Sequence, residues 1–360
     1  MLAVVQALAG FEQDGGSAPP AQLSGDLRHD GAMGSLDRQT LVSTGRLPDP
    51  GEVQRLVDEA YAQVAGVTDG EVSGVYPALA RVAPDLFGVC VVGVSGAVYA
   101  AGDAECPFAL MSVAKPFVLA VMIERFGFAR VRDLVGVNAT GTAFDSIAAV
   151  DVSRDGRTNP MVNAGAIATV SMAPGASVQE RWDVVWGGLN RFAGHELALD
   201  DEVHDSAAAT NLRNRAIAES LHARGRVVGH PQEALELYTR QSSLSVTARD
   251  LAVMGATLAD GGVNPLTHER VVTAQTCRLV LAVMATAGLY ETSGDWLCDV
   301  GLPGKSGIGG GIVTVSPGKG GLGTFAPPLD AAGNSVKGQL VARVLSRTLG
   351  LDLLASEPAE

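Results

Sequence analysis

Residues 107–122 read PFALMSVAKPFVLAVM. Ser112 stands three residues before Lys115, and an unbroken apolar run follows. Pro116 lies directly after the lysine, and proline is tolerated in a helix chiefly within its first turn. The spacing therefore predicts a helix that begins at or beside Ser112. Residues three apart on a helix share a face, so hydroxyl and amine fall on one side near the unpaired N–H groups of the helix start. Two readings follow. In one, Ser112 caps the helix and Lys115 extends its amine to water. In the other, Lys115 is shut in an apolar site, loses its charge and takes the serine proton. The pattern alone does not separate them. A second Ser-x-x-Lys, Ser316-Pro-Gly-Lys319, has a Pro-Gly turn at its centre and reads as coincidence.

The rest of the chain narrows the choice. It has 360 residues, 47% hydrophobic and 18% charged, enough for one large domain or two ordinary ones. A formal net charge of −13 disfavours nucleic acid and anionic membrane as partners. No apolar run approaches the roughly 20 residues that span a bilayer. The apolar N-terminus, MLAVVQALAGF, has no basic flank and reads as non-secretory. Cys90, Cys106, Cys277 and Cys298 are scattered, which argues against zinc and a disulfide framework and fits a reducing cytoplasm. No metal site and no cofactor motif is read.

Residues 1–42, rich in Gly, Pro, Ser and Asp over most of their length, read as a partly disordered extension. Beyond them, Val53, Leu56, Val57, Ala60, Tyr61 and Val64 recur at helical spacing. FGVCVVGV and AVYAAG flank Ser95-Gly96 as a β-hairpin. Mainly helical signals fill roughly 113–300, with N-terminal capping patterns at Ser177–Glu180 and Thr247–Asp250. Strand signals return at GIVTVSP and GLGTFAP, and a last amphipathic helix carries Val336, Leu340, Val341, Val344 and Leu345. The economical architecture is α+β. An antiparallel sheet is built from the N- and C-terminal parts, the first and last helices pack on it, and a helical subdomain is inserted between.

Only four lysines occur, and Lys305 opens a second motif, Lys305-Ser306-Gly307, before a strand. Ser-x-x-Lys with a later Lys-[Ser/Thr]-Gly is the signature pair of serine β-lactamases and penicillin-binding proteins. Those enzymes also need a Ser-x-Asn or Tyr-x-Asn triplet between the two motifs, and none is present. Longer stretches carry a different resemblance. GVYPALA, NPMVNAGAIATV, ATNLRNRAIA, YTRQSSLSVTARDLAVMGATLADGGVNPLT, MATAGLYETSGDWLCDVGLPGKSGIGGGI and LDAAGNSVKGQ are strongly similar to the serine-dependent glutaminases, from about residue 43 to 352.

That resemblance implies a β-lactamase/transpeptidase-like fold, a catalytic domain over 43–355, and hydrolysis of L-glutamine to L-glutamate and ammonia without a cofactor. It points to the bacterial form and to a homotetramer. It implies Ser112 as nucleophile and Lys115 as its base. The backbone N–H groups of Ser112 and Ile308 are the implied oxyanion donors, with Lys305, Ser306 and Gly307 supporting them. Tyr290 is implied as the proton shuttle to the leaving ammonia, and Tyr76 as a second tyrosine of the catalytic site. Asn163, Asn214 and Tyr238 are implied to hold the substrate. Three departures stand out. Met111 and Ala114 differ from the residues many relatives carry beside the nucleophile and the lysine, and read as packing changes. The family pattern S-E-x-x-T-N-x-R-N is SAAATNLRN from Ser206, so the glutamate expected to grip the substrate ammonium is Ala207. Asp205 is the nearest acidic replacement in sequence. Ala207 keeps open a weak glutaminase, or a serine amidohydrolase of the same fold acting on another amide. A binding protein that kept the fold without the chemistry is disfavoured by the intact Ser112, Lys115, Tyr290 and Lys305-Ser306-Gly307.

Overall fold

The computed structural model describes residues 47–355, residue 154 excepted. The extension expected over 1–42 lies outside the described residues. In chain order the elements are α1 (Pro50–Ala65), β1 (Glu71–Val72), β2 (Gly88–Gly93), β3 (Val98–Gly102), β4 (Phe108–Ala109), α2 (Ala114–Phe126), α3 (Phe128–Val135), α4 (Ala148–Val152), α5 (Asn163–Val170), α6 (Val178–Ala193), α7 (Asp201–Thr210), α8 (Leu212–Ala223), α9 (Pro231–Ser242), β5 (Ser245–Val246), α10 (Ala248–Ala259), α11 (Ala274–Ala287), α12 (Ser293–Val300), β6 (Gly304–Ser306), β7 (Gly311–Ser316), β8 (Gly320–Phe325), β9 (Pro328–Leu329) and α13 (Val336–Thr348).

The N- and C-terminal parts of the described residues meet in one antiparallel sheet of order β3-β2-β8-β7-β6. The predicted hairpin is β2–β3, with Val91 opposite Tyr99. Val53, Val57, Ala60 and Val64 form the buried stripe of α1. They share a core with Val89, Val91, Ile312 and Leu322 of the sheet and with Val341 and Leu345 of α13. Lys337 of α13 donates to Ala65 O at the end of α1, where unpaired carbonyls favour a cation. The expected packing of first and last helices on the sheet is therefore observed. The opposite face is covered by α10, which comes from the helical middle of the chain. It approaches β8 so closely that a Cβ on Gly323 would stand 2.0 Å from Ala248 O. A full capping box starts α10, with Thr247 and Asp250 each bonding the other's backbone N–H. At Ser177 only half of the expected box forms, because the Glu180 carboxylate bonds Ala176 N instead.

The second core fills the helical region around α2. That helix has no polar stripe before Glu124, so it is surrounded on most sides, and Phe117, Leu119, Met122 and Ile123 are buried. Truncating one such side chain to alanine typically costs about 2–5 kcal/mol. Cys90 and Cys277 are buried and Cys298 exposed, and all four thiols are free. No described helix is long and apolar enough to cross a membrane.

Candidate active site

The cleft lies where the start of α2 meets the turn between β6 and β7 and the ends of α5, α8 and α9. Ser112 sits in a 3-10 turn, Met111–Val113, and α2 begins at Ala114. Met111 takes φ +46°, a left-handed conformation costly for a side chain of its kind. The residue read as a packing change is therefore also the strained link that presents Ser112. No side-chain cap bond forms at the start of α2, so the Ser112 hydroxyl is not spent on the helix end.

Lys115 is only 2% exposed, which rules out the extended, solvated lysine. Its amine donates to Met161 O at 3.3 Å and Asn163 Oδ1 at 2.7 Å. Burial without a contacting carboxylate pulls its pKa from the usual lysine range to about 7, with Asp145 opposing weakly. The Ser112 hydroxyl faces the phenols of Tyr238 and Tyr290. Burial raises both phenol pKa values, Tyr290 to about 12, and the hydroxyl draws each partly back.

Asn163 organises the floor of the cleft. Its Oδ1 also accepts from Tyr238 Oη at 3.0 Å, and its Nδ2 donates to Asn214 Oδ1 at 2.9 Å. Asn214 Nδ2 donates onward to Asn211 Oδ1, and Asn211 Nδ2 to Thr239 Oγ1. The network fixes one orientation for each amide, and the Asn163 and Asn214 NH₂ groups each keep a second donor hydrogen.

Opposite Ser112 runs the β6–β7 turn. A Cβ on Gly307 would come 3.2 Å from Ser112 N, and one on Gly309 would come 2.4 Å from Ala109 O. Glycine is therefore what lets Ile308 approach Ser112. Among the described residues, neither Ser112 N nor Ile308 N has a hydrogen-bond acceptor, although both residues are buried. Such groups are rarely left unpaired in a folded protein. Lys305 is fully buried, bonds Ser306 O at 2.6 Å and stands 4.0 Å from the Tyr290 ring centroid. Burial, and secondarily Lys115, pushes its pKa well down. Tyr290 Oη donates to the same carbonyl at 3.1 Å, and Tyr290 is held at φ +58°. The Ser306 hydroxyl donates to Asn334 Oδ1, which ties the motif to the loop before α13. Tyr76, half-buried, lines the cleft with Ser112, Asn163, Asn214, Tyr238 and Ile308. The structure thus brings together the residues singled out in sequence. Among the described residues, no three His, Cys, Asp or Glu side chains are grouped as a metal set.

Ala207 is buried and lines the cleft. Asp205, the sequence-based replacement acid, is 85% exposed at its side chain and pairs with His204. It does not serve, because adjacent helical residues point in different directions. Sequence reading missed Phe144, Asp145 and Arg213, which also line the cleft. The Phe144 ring packs on Tyr290 with centroids 4.7 Å apart, and Phe144 O accepts from Asn163 N.

Residues 70–354 match the glutaminase family. The chain is 62% identical over 317 residues to glutaminase 2 of Yersinia pestis, spanning 88% of this chain and 93% of the relative. It is similar to the solved probable glutaminase ybaS, with TM-score 0.84 and 43% identity, covering 86% of this chain and all of that one. It is also similar to Mglu solved in its glutamate form, with TM-score 0.80 and 36% identity, covering 87% of this chain and 71% of the other.

Proposed function

The chain belongs to the glutaminase family and hydrolyses L-glutamine to L-glutamate and ammonia, and we propose that it does so through an acyl-enzyme on Ser112. An amide is a weak electrophile with a poor leaving group, and covalent catalysis divides that barrier into two lower ones. Ser112 Oγ attacks the side-chain amide carbon while Lys115 Nζ takes its proton. The oxyanion is received by the N–H groups of Ser112 and Ile308. Tyr290, still protonated at neutral pH, delivers a proton to the departing nitrogen as the C–N bond breaks, and Tyr76 closes the site beside it. Water then attacks the ester, its proton returns through the same groups, and Ser112 is released. Asn163, Asn214 and Tyr238 hold the amino-acid end of the substrate, while Lys305, Ser306 and Gly307 support the turn that carries Ile308.

The observation that carries this reading is Lys115. A buried amine with a pKa near 7, one turn from an uncapped serine, is a base at physiological pH. With hydroxylamine present during turnover, an acyl-enzyme partitions to γ-glutamyl hydroxamate. Glutamine consumption with no hydroxamate contradicts the covalent route.

The second reading, an amidohydrolase acting on another amide, draws only on Ala207, which leaves the α7 side of the cleft without a carboxylate. We further infer a catalytic domain over 43–355 with helices inserted over roughly 113–300. Family resemblance supports a homotetramer, and four free thiols support a cytoplasmic location.

A further inference from the structure

Glutamine carries an ammonium at the end opposite the amide that is cut. Such a group in a partly dry cleft binds poorly without an anionic partner. Among the residues lining this cleft, Asp145 is the one acidic side chain and Arg213 the one basic side chain. We propose that Asp145 receives the substrate ammonium and so determines that the enzyme acts on the free amino acid. This rests on the glutaminase reading.

The placement of Asp145 is over-determined. Phe144, beside it, packs on the Tyr290 ring and accepts a backbone hydrogen bond from Asn163 at 2.8 Å. The backbone that carries Asp145 is thereby anchored beside Tyr290 and Asn163, and its side chain lines the cleft. Arg213 engages only Oδ2. No described group donates to Oδ1, and the Asp145 side chain is 26% exposed. Arg213 is 64% exposed, so water screens its charge. It engages one oxygen of the carboxylate and leaves Oδ1 for a second cation. Ala207, which also lines the cleft, offers no side-chain acceptor, which leaves the task to Asp145.

The test measures kcat and KM for L-glutamine and for its des-amino analogue, with wild-type enzyme and Asp145→Asn. A hydrogen-bonded charge partner is typically worth ten- to a hundredfold in binding, so wild type should prefer glutamine by about that factor in kcat/KM. In Asp145→Asn the glutamine KM should rise by about the same factor, with kcat falling far less and the analogue unaffected, so the preference collapses. Equal losses for both substrates, or an unchanged glutamine KM, overturn the assignment. If Asp145→Asn does not fold, Asp145→Ser gives the same comparison. The wild-type preference needs no variant, and glutamine hydrolysis with equal use of the analogue also overturns the assignment while leaving the glutaminase reading intact. No ammonia from glutamine overturns both.

Discussion

Lys115 Nζ lies 2.7 Å from Asn163 Oδ1, and both side chains are buried. A neutral acceptor in a dry place holds the amine without ionising it. A carboxylate at the same position would favour the ammonium form. Asparagine rather than aspartate at this position leaves burial to hold the lysine pKa down, and so leaves the amine free to accept a proton near pH 7.

The first prediction concerns pH. Lys115 acts as base only when neutral, and burial lowers its pKa to about 7. Lowering pH below 7 protonates it, so kcat/KM should climb through an acid limb centred near 7 and level off above it. A flat profile from pH 5 to 9 would remove Lys115 from the proton-accepting role.

Asn163→Asp tests the same relationship from the other side. The new carboxylate stabilises the lysine ammonium, so the acid limb should move up by about one unit or more. The measurement is the midpoint of the kcat/KM profile. A midpoint that stays put or moves down contradicts the account.

Lys115→Arg keeps a cation but cannot give a neutral base. Turnover should fall by about 10²–10⁴, the range for losing general-base assistance. Activity at neutral pH within tenfold of wild type would be incompatible with the scheme.

Gly309→Ala probes the turn. Its Cβ would stand 2.4 Å from Ala109 O, so the β6–β7 turn must shift and carry Ile308 N with it. Loss of one oxyanion donor lowers kcat by about 10²–10³. The expected pattern is a kcat loss in that range with a smaller change in KM, in a protein that still unfolds cooperatively. A variant with wild-type kcat would mean that Ile308 N is not a donor.

Much of this was legible in sequence where local chemistry is decisive. Pro116 fixed the start of α2, and the absence of polar residues along FVLAVMI implied a helix buried on most sides, which is what dries Lys115. The hairpin, the last strands and both outer helices followed from their periodicities. Placement in space was not legible. Beyond its first turn α10 is almost wholly apolar and reads like any buried helix, and only the glycines of β8 reveal that it lies on the sheet. Asp145 sits in TGTAFDSIA, where an aspartate looks like an ordinary turn residue. Its partner Arg213, and Asn163, which bonds the neighbouring Phe144 O, come from later elements, and no sequence spacing encodes that meeting. Asp205 failed for the complementary reason, being close in sequence to Ala207 but directed away from it.

The central claim is that Ser112 is the nucleophile, and ammonia release from L-glutamine by Ser112→Ala tests it most directly. The Ser112 hydroxyl makes no helix cap, so the variant should unfold at nearly the wild-type temperature. Its kcat should drop by about 10⁴ or more, as when a nucleophile is removed and only binding and oxyanion stabilisation remain. A folded Ser112→Ala that releases ammonia at a rate near wild type would contradict the account.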